Sequence, residues 1–372
     1  MTDLLTLGNN LGQRAASFRF DLLDKQNSYI RPLTVDMSRP PTITNNINRT
    51  VKRTMSGFHL PPYETDQVNT LTQRVRPWMV MQDGSEYPLG IFLFADATRE
   101  LVLSGSVQLT SGTGEAWWTD GTMADQLATI NQGSRGINFY GPGHLIYDAL
   151  VQQLNAANVQ TYRIDATDAV IGDWVVWKPN TNRLQVINEL ASMAGMYSLY
   201  FDNAGEGVVR QVPTLDAVEP TFVYQAGGNV LMNGISESDD QLDAYNTYVV
   251  VNSGFTERPI WGEWQVPPEA PHSYANRGFW VVKEINQQGV TSNTQAARSA
   301  KAYGQADFAA YRWANFSTAI DPRHDTFDVS LWRDDKWREQ MWAFTLNDRS
   351  PMRHEFRRVW ANDLADIIEE DA

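Results

Sequence analysis

Apolar and polar residues alternate with a period of two along most of the first third of the chain. Over residues 43–57, Ile43, Ile47, Val51 and Met55 fall on one side, and Thr44, Asn48, Lys52 and Ser56 on the other. Two residues per repeat is the strand period, so the pattern predicts one long, half-buried strand. Residues 74–81 and 87–94 are apolar runs separated by a segment containing Asp83-Gly84. That pair is a hairpin signal, because glycine takes positive φ without steric cost. Leu101, Leu103, Val107 and Leu109 alternate with small or polar residues in a further strand, and Gly105 marks a bend or bulge in it. Upstream, Phe18, Phe20 and Leu22 alternate with Arg19, Asp21 and Leu23, and the turn residues 24–28 return the chain into 29–31. Residues 17–109 thus read as one mainly antiparallel β unit of the sandwich or barrel type.

The pattern then changes to helical spacing. Residues 120–130 predict a short helix with Asp120 or Thr122 as N-cap. Residues 144–157 predict a second, with Leu145, Ala149 and Leu154 near one face. Leu184, Ile187, Leu190, Ala191 and Ala194 define a third, and Gly195 stands where a left-handed C-terminal residue is wanted. A strand at 196–201, a turn at 202–207 and a strand at 208–212 follow it. After Pro213 and Pro220, residues 222–224 and 243–251 predict strands from their β-branched and aromatic content. A loop at 259–271, a strand at 279–282 and a helix at 293–314 come next. Residues 321–331 read as a loop into a strand, and 341–346 as another strand. The acidic end, 364–372, reads as frayed. The fold class is therefore α+β, mainly antiparallel β. Its segments are a β domain at 1–115, an α+β helix-hairpin domain at 116–212, a second β domain with a long helix at 213–352, and an acidic C-terminal segment at 353–372.

Composition narrows the function. There is no cysteine, which excludes disulfides and thiolate metal sites. No apolar run approaches the roughly 20 residues of a membrane span, so no stable membrane insertion is expected, and the N-terminus lacks a secretory pattern. The net charge is −14, whereas a protein that grips nucleic acid must neutralise phosphates with Lys and Arg. A chain this acidic fits passage of DNA better than its capture.

Chemical motifs are sparse, and no catalytic, cofactor-binding or metal-ligating residue is expected. There is no phosphate loop and no Gly-x-Ser-x-Gly elbow. Gly141-Pro-Gly143 precedes a helix and offers amides to an anion, but it lacks the dinucleotide fingerprint and reads as a loop. His59, His144, His272, His324 and His354 include no i,i+4 pair and read as surface or packing residues. His324-Asp325 has no metal partner nearby in sequence. Glu237, Asp239, Asp240 and Asp243 offer oxygen to calcium but lack the spacing of a known loop, so a solvated acidic turn is the plainer reading. Trp117, Trp118, Trp261 and Trp264 lie in Gly- or Pro-rich stretches. They either anchor a subunit interface or pack on the chain's own core, with sugar stacking behind both.

The stretch Asn48-Arg-Thr-Val-Lys-Arg-Thr54, then Arg76-Pro-Trp78, then Tyr87-Pro-Leu-Gly-Ile-Phe92 resembles, in that order, the first domain of phage baseplate hub proteins, also called tail hub or tail-tip minor tail proteins. The third helix leading into its hairpin resembles their second domain. The strand near Asn246, the long helix and the Pro-containing loop into Phe327-Asp-Val329 resemble the third. The resemblance implies a structural, non-enzymatic protein of the bacteriophage virion, with two tube-like β domains per chain at 17–115 and 213–352. It implies a homotrimer whose six similar domains form a pseudo-six-fold ring at the distal end of the tail tube, adapting six-fold to three-fold symmetry. The implied partners are the distal tail or tube ring, other tail-tip proteins and the tape measure protein. Phage DNA would pass through the channel without specific binding. The chain ends soon after the third region, so no built-in cell-wall lysin is expected. A carbohydrate-binding or carbohydrate-degrading β protein accounts for the tryptophans and carboxylates but not for the ordered match from Asn48 to Phe92. A hexameric tube subunit needs under half this length.

Overall fold

The computed structural model describes residues 16–102, 116–134, 136–212, 219–225, 230–239, 244–252, 259–307, 312–333, 335–347 and 349–358. Its framework is one long antiparallel sheet. From one edge the order is Tyr29–Leu33, Ala16–Leu23, Arg74–Met81, Phe92–Val102, Ala116–Asp125, Arg53–Leu60 and Thr42–Asn46. It continues without a break through Asp335–Thr345, Met352–Arg358, Arg312–Thr318 and Val230–Asp239. Glu86–Pro88 branches from Arg74–Met81. Val329–Trp332 branches from Asp335–Thr345 and carries Phe222–Tyr224 parallel to it. The fold is mainly antiparallel β with a few helices, in the α+β class.

Two apolar cores lie along this sheet. The larger contains Phe20, Met55, Phe58 and Phe92 of the first region, together with Trp342, Phe344 and Met352 from the far end of the chain. The smaller contains Phe222, Tyr224, Phe316, Trp332, Trp337 and Phe356. Alternation explains both, since one face of each strand is buried; Arg312–Thr318, for example, buries Ala314, Phe316 and Thr318 at every second position.

Several elements differ from the sequence reading. Residues 43–57 are a hairpin rather than one strand: Thr42–Asn46 pairs with Arg53–Leu60, with Ile43 opposite Met55. Cross-strand partners share a face, so the odd-numbered apolar series runs through the turn unbroken and mimics a single strand. The turn is made by Asn46, whose side chain accepts from the Asn48 amide at 2.9 Å. Residues 120–125 belong to strand Ala116–Asp125, and only Leu127–Ile130 is helical. Ladders to neighbours on both sides overrode the local helix signal. Gly121 belongs there because a Cβ would sit 2.6 Å from the Asp96 carbonyl, at a bulge. The long helix is described over Asn293–Asp307, and residues 312–314, expected to belong to it, lie in strand Arg312–Thr318; Ile260–Gln265 is a strand within the expected loop.

Two smaller units flank the sheet. In one, helices Ile146–Ala156 and Arg183–Met193 pack through Leu150, Leu154, Ile187 and Leu190, with Trp177 in the same core. Gly195 ends the second helix at φ +72°, as expected. In the other, Thr247–Asn252 is flanked by Ile260–Gln265 and, in parallel, Val282–Asn286, and helix Asn293–Asp307 covers them. Among the described residues no helix is long and apolar enough to cross a membrane.

Candidate functional site at the junction of the units

The sheet is continuous because Thr42–Asn46 pairs edge to edge with the end of Asp335–Thr345. Ile43 lies opposite Phe344, Asn45 opposite Trp342 and Asn46 opposite Met341. The Ile47 amide donates to the Gln340 carbonyl at 3.0 Å and the Leu346 amide to the Pro41 carbonyl at 2.8 Å, which extends the seam at both ends.

Arg53 lies beside this seam. Its side chain is 2% exposed and pairs with Asp325 at 2.8 Å. A second guanidinium nitrogen donates to Asn203 Oδ1 at 2.7 Å, and the group lies 5.2 Å from the Trp342 ring. Asn203 in turn donates to the Pro322 and His324 carbonyls at 3.1 and 2.9 Å. One guanidinium therefore joins the first β region, the helix-hairpin region and the loop before Val329–Trp332. The same loop is fixed at its far end, where Phe327 takes φ +65°, an uncommon left-handed value. Its ring stacks on Tyr197 at 4.2 Å, and Arg210 donates to its carbonyl at 3.0 Å.

The preceding residue is also buried. Burial pushes the Lys52 ammonium down to about 8, against the pull of Asp125. Burial pushes the Asp125 carboxyl up to about 6, although Arg53 and two backbone amides favour its charge. The stretch that carries the hub resemblance thus supplies two buried cations to the junction.

Behind the loop, His324, Glu339 and His354 form a fully buried cluster. Glu339 accepts from or faces His324 Nδ1 at 2.9 Å through one oxygen and His354 Nδ1 at 2.5 Å through the other. His324 Nε2 meets the Tyr224 hydroxyl at 2.7 Å, and His354 Nε2 meets the Thr318 hydroxyl at 2.8 Å. Burial opposes charge on Glu339, but the two imidazoles hold it below the usual carboxylate range. Burial likewise opposes charge on His324, and the Glu339 carboxylate outweighs it and raises that imidazole. Burial wins at His354, which is lowered. Burial pushes Asp328, beside them, up to about 7 against the pull of His324. In the sequence these histidines read as surface or packing residues. The signal is absent locally, since Glu339 and His354 stand on different strands and His324 in the loop before Val329–Trp332, and the three meet only in the folded chain.

The tryptophans do not converge on the junction. Trp117 and Trp118 are in strand Ala116–Asp125, opposite Leu101 and Glu100, not in a loop; their side chains lie outside the described residues. Trp261 and Trp264 stand on strand Ile260–Gln265 of another unit. Trp261 is half-exposed, whereas Trp264 packs on Tyr248 at 5.9 Å and against Gly304. Glu237 and Asp239 are taken up by Arg333 and Arg312 at 2.7 and 2.9 Å, while Asp240 and Asp243 lie outside the described residues. The Gly143 amide donates to the Ile171 carbonyl at 2.7 Å, so it is turned to the chain rather than to an anion. His59 pairs with Asp120, His144 lies beside Tyr140, and burial lowers His272 to about 4.

No family model and no curated protein sequence matches this chain. Solved structures do. The tail protein from Neisseria meningitidis MC58 superposes with a TM-score of 0.58 at 9% identity, over 92% of this chain and 96% of that one. The 43 kDa tail protein of prophage MuSo2 from Shewanella oneidensis gives 0.58 at 10% identity, over 92% and 98%. Prophage tail protein gp18 from Listeria monocytogenes EGD-e gives 0.51 at 11%, over 94% and 97%. The fold of this chain is thus that of phage tail proteins along nearly the whole length of each. At these identities the likeness is one of fold.

Proposed function

We propose that the chain is a structural protein of a phage tail, a hub that closes the distal end of the tail tube as a homotrimer. The observation that carries this reading is the seam: two β cores in one chain, fused into one antiparallel sheet and locked by a buried arginine. Three such chains present six β units, which suits a three-fold part on a six-fold tube. Among the described residues the sheet has further neighbours at neither Tyr29–Leu33 nor Val230–Asp239. Two different free edges on one chain suit head-to-tail contacts that close into a ring. Tyr29 and Ile30 are exposed on the first of them. Trp117, Trp118 and Trp261 are assigned to subunit or partner contact, and Trp264 to internal packing. The partners are the tube ring, other tail-tip proteins and the tape measure protein. The net charge of −14 suits a channel wall that lets DNA pass without holding it.

Light scattering on a size-exclusion column tests the assembly. A mass near three chains at micromolar concentration is the expected result, and a monomer that stays monomeric on concentration contradicts it. A reducing-sugar assay on cell-wall polysaccharide tests the absence of enzymatic activity; turnover abolished by one carboxylate substitution would establish the carbohydrate-active reading instead.

A further inference from the structure

His354 is held at both ring nitrogens: Nε2 meets the Thr318 hydroxyl at 2.8 Å and Nδ1 faces Glu339 Oε1 at 2.5 Å. The Thr318 hydroxyl also reaches the Ala319 carbonyl at 2.8 Å. When the hydroxyl gives its hydrogen to that carbonyl, it accepts from Nε2, and Nδ1 turns its lone pair to Glu339. In that arrangement the short approach of Nδ1 to the carboxylate takes a cation between them, either a proton or a metal ion.

The surroundings favour the metal. His324 Nδ1 faces the other oxygen of the same carboxylate at 2.9 Å, so one carboxylate and two imidazole nitrogens converge. Asp328 Oδ2 lies 3.8 Å from His324 Nδ1 and adds a second carboxylate. Two nitrogens with carboxylate oxygens form a donor set for a borderline divalent ion of the zinc class. One such ion neutralises both carboxylates with both histidines neutral. Each imidazole also has its second nitrogen on a hydroxyl, Tyr224 or Thr318, which is how ligating histidines are oriented. Metal–nitrogen bonds of about 2.0–2.1 Å set ligand atoms roughly 3.0–3.5 Å apart, and the ligand atoms of these three residues lie within 4.8 Å of one another, so side-chain adjustments on the order of 1 Å admit the ion.

We propose that His324, His354 and Glu339, with Asp328 completing the set, bind one divalent transition-metal ion of the zinc class. The ion ties strands Asp335–Thr345 and Met352–Arg358 to the loop that reaches Arg53 and Asn203. This assignment stands whether or not the chain is a hub.

The test uses the full chain expressed in zinc-supplemented medium and purified without chelator. Elemental analysis is expected to find about one zinc per chain. His354→Gln and Glu339→Gln are expected to lose it, and His272→Gln, at a buried histidine elsewhere, to keep it. Should the cluster variants fail to fold, wild-type chain grown in cobalt medium decides the matter. A cobalt-bound site shows ligand-field absorption in the visible range that zinc exchange abolishes. Folded wild type holding under about 0.1 zinc per chain, with no visible cobalt band, overturns the proposal and leaves a proton as the cation.

Discussion

Replacing Arg53 by methionine tests the junction most sharply. The substitution keeps a flexible apolar stem and removes the guanidinium. Asp325 then loses its ion pair at 2.8 Å, and Asn203 Oδ1 loses a donor at 2.7 Å. Breaking a buried ion pair by deleting one partner costs about 3–5 kcal/mol, because the other charge is left behind. The Asp325 side chain is 25% exposed, so water recovers part of this and the lower end applies. The orphaned Asn203 oxygen adds about 1 kcal/mol, and lost stacking on Trp342 adds about 0.5–1 kcal/mol. These terms overlap, so the expected loss is about 3–4 kcal/mol. Urea unfolding read by tryptophan fluorescence and far-UV circular dichroism measures it as a lowered midpoint. In a cycle with Asp325→Asn, the two substitutions should be non-additive by about 1–3 kcal/mol. A loss under about 1 kcal/mol for Arg53→Met, or strict additivity, would refute the claim that this pair locks the units together.

Lys52→Met addresses the neighbouring cation. The folded-state value of about 8 lies below the ordinary 10.5, so the folded chain binds fewer protons between those limits and Lys52 makes stability rise with pH there. Below pH 8 its buried charge costs about 3 kcal/mol, and the methionine variant should be more stable at pH 7 by about 1–3 kcal/mol. The gap between variant and wild type should close toward pH 10; a destabilised variant with no pH trend contradicts this. Gly304→Ala would place a Cβ 2.1 Å from the Trp264 ring. Although alanine favours helix, the clash should cost about 1–3 kcal/mol and shift the tryptophan emission, and a stabilised variant would show that Trp264 does not pack there. Ile30→Lys puts a charge on an exposed edge strand and should abolish the trimer without changing the circular dichroism spectrum. A trimer of unchanged mass would remove that edge from the proposed interface.

How far these features were legible in sequence depends on the range of the interaction behind each. Strand periodicity, the helix at 183–193 and the left-handed Gly195 rest on neighbours a few residues away, and all were readable. The strands at Ala116–Asp125 and Arg312–Thr318 depend on partners in distant strands, and there the local helix signals misled. The seam joins residues some three hundred positions apart, and nothing local announces it. Arg53 did leave a trace. It carries an odd number, on the side of Ile43 and Met55, and a cation within an apolar series has to find a buried partner. Lys52 falls on the polar series, yet it is 5% exposed because other parts of the chain cover that face as well. Trp264 was ambiguous for a similar reason: a tryptophan three residues from another on a strand points to the opposite side, and the strand itself was read as a loop.

In the proposed assembly, three copies ring the end of a tail tube. Electron microscopy of the purified trimer, averaged over end-on views, tests it directly. The expected average is a closed three-fold ring with six peripheral lobes of similar size, two per chain, around a central opening. An average with two-fold symmetry, an open filament or a solid centre would contradict it.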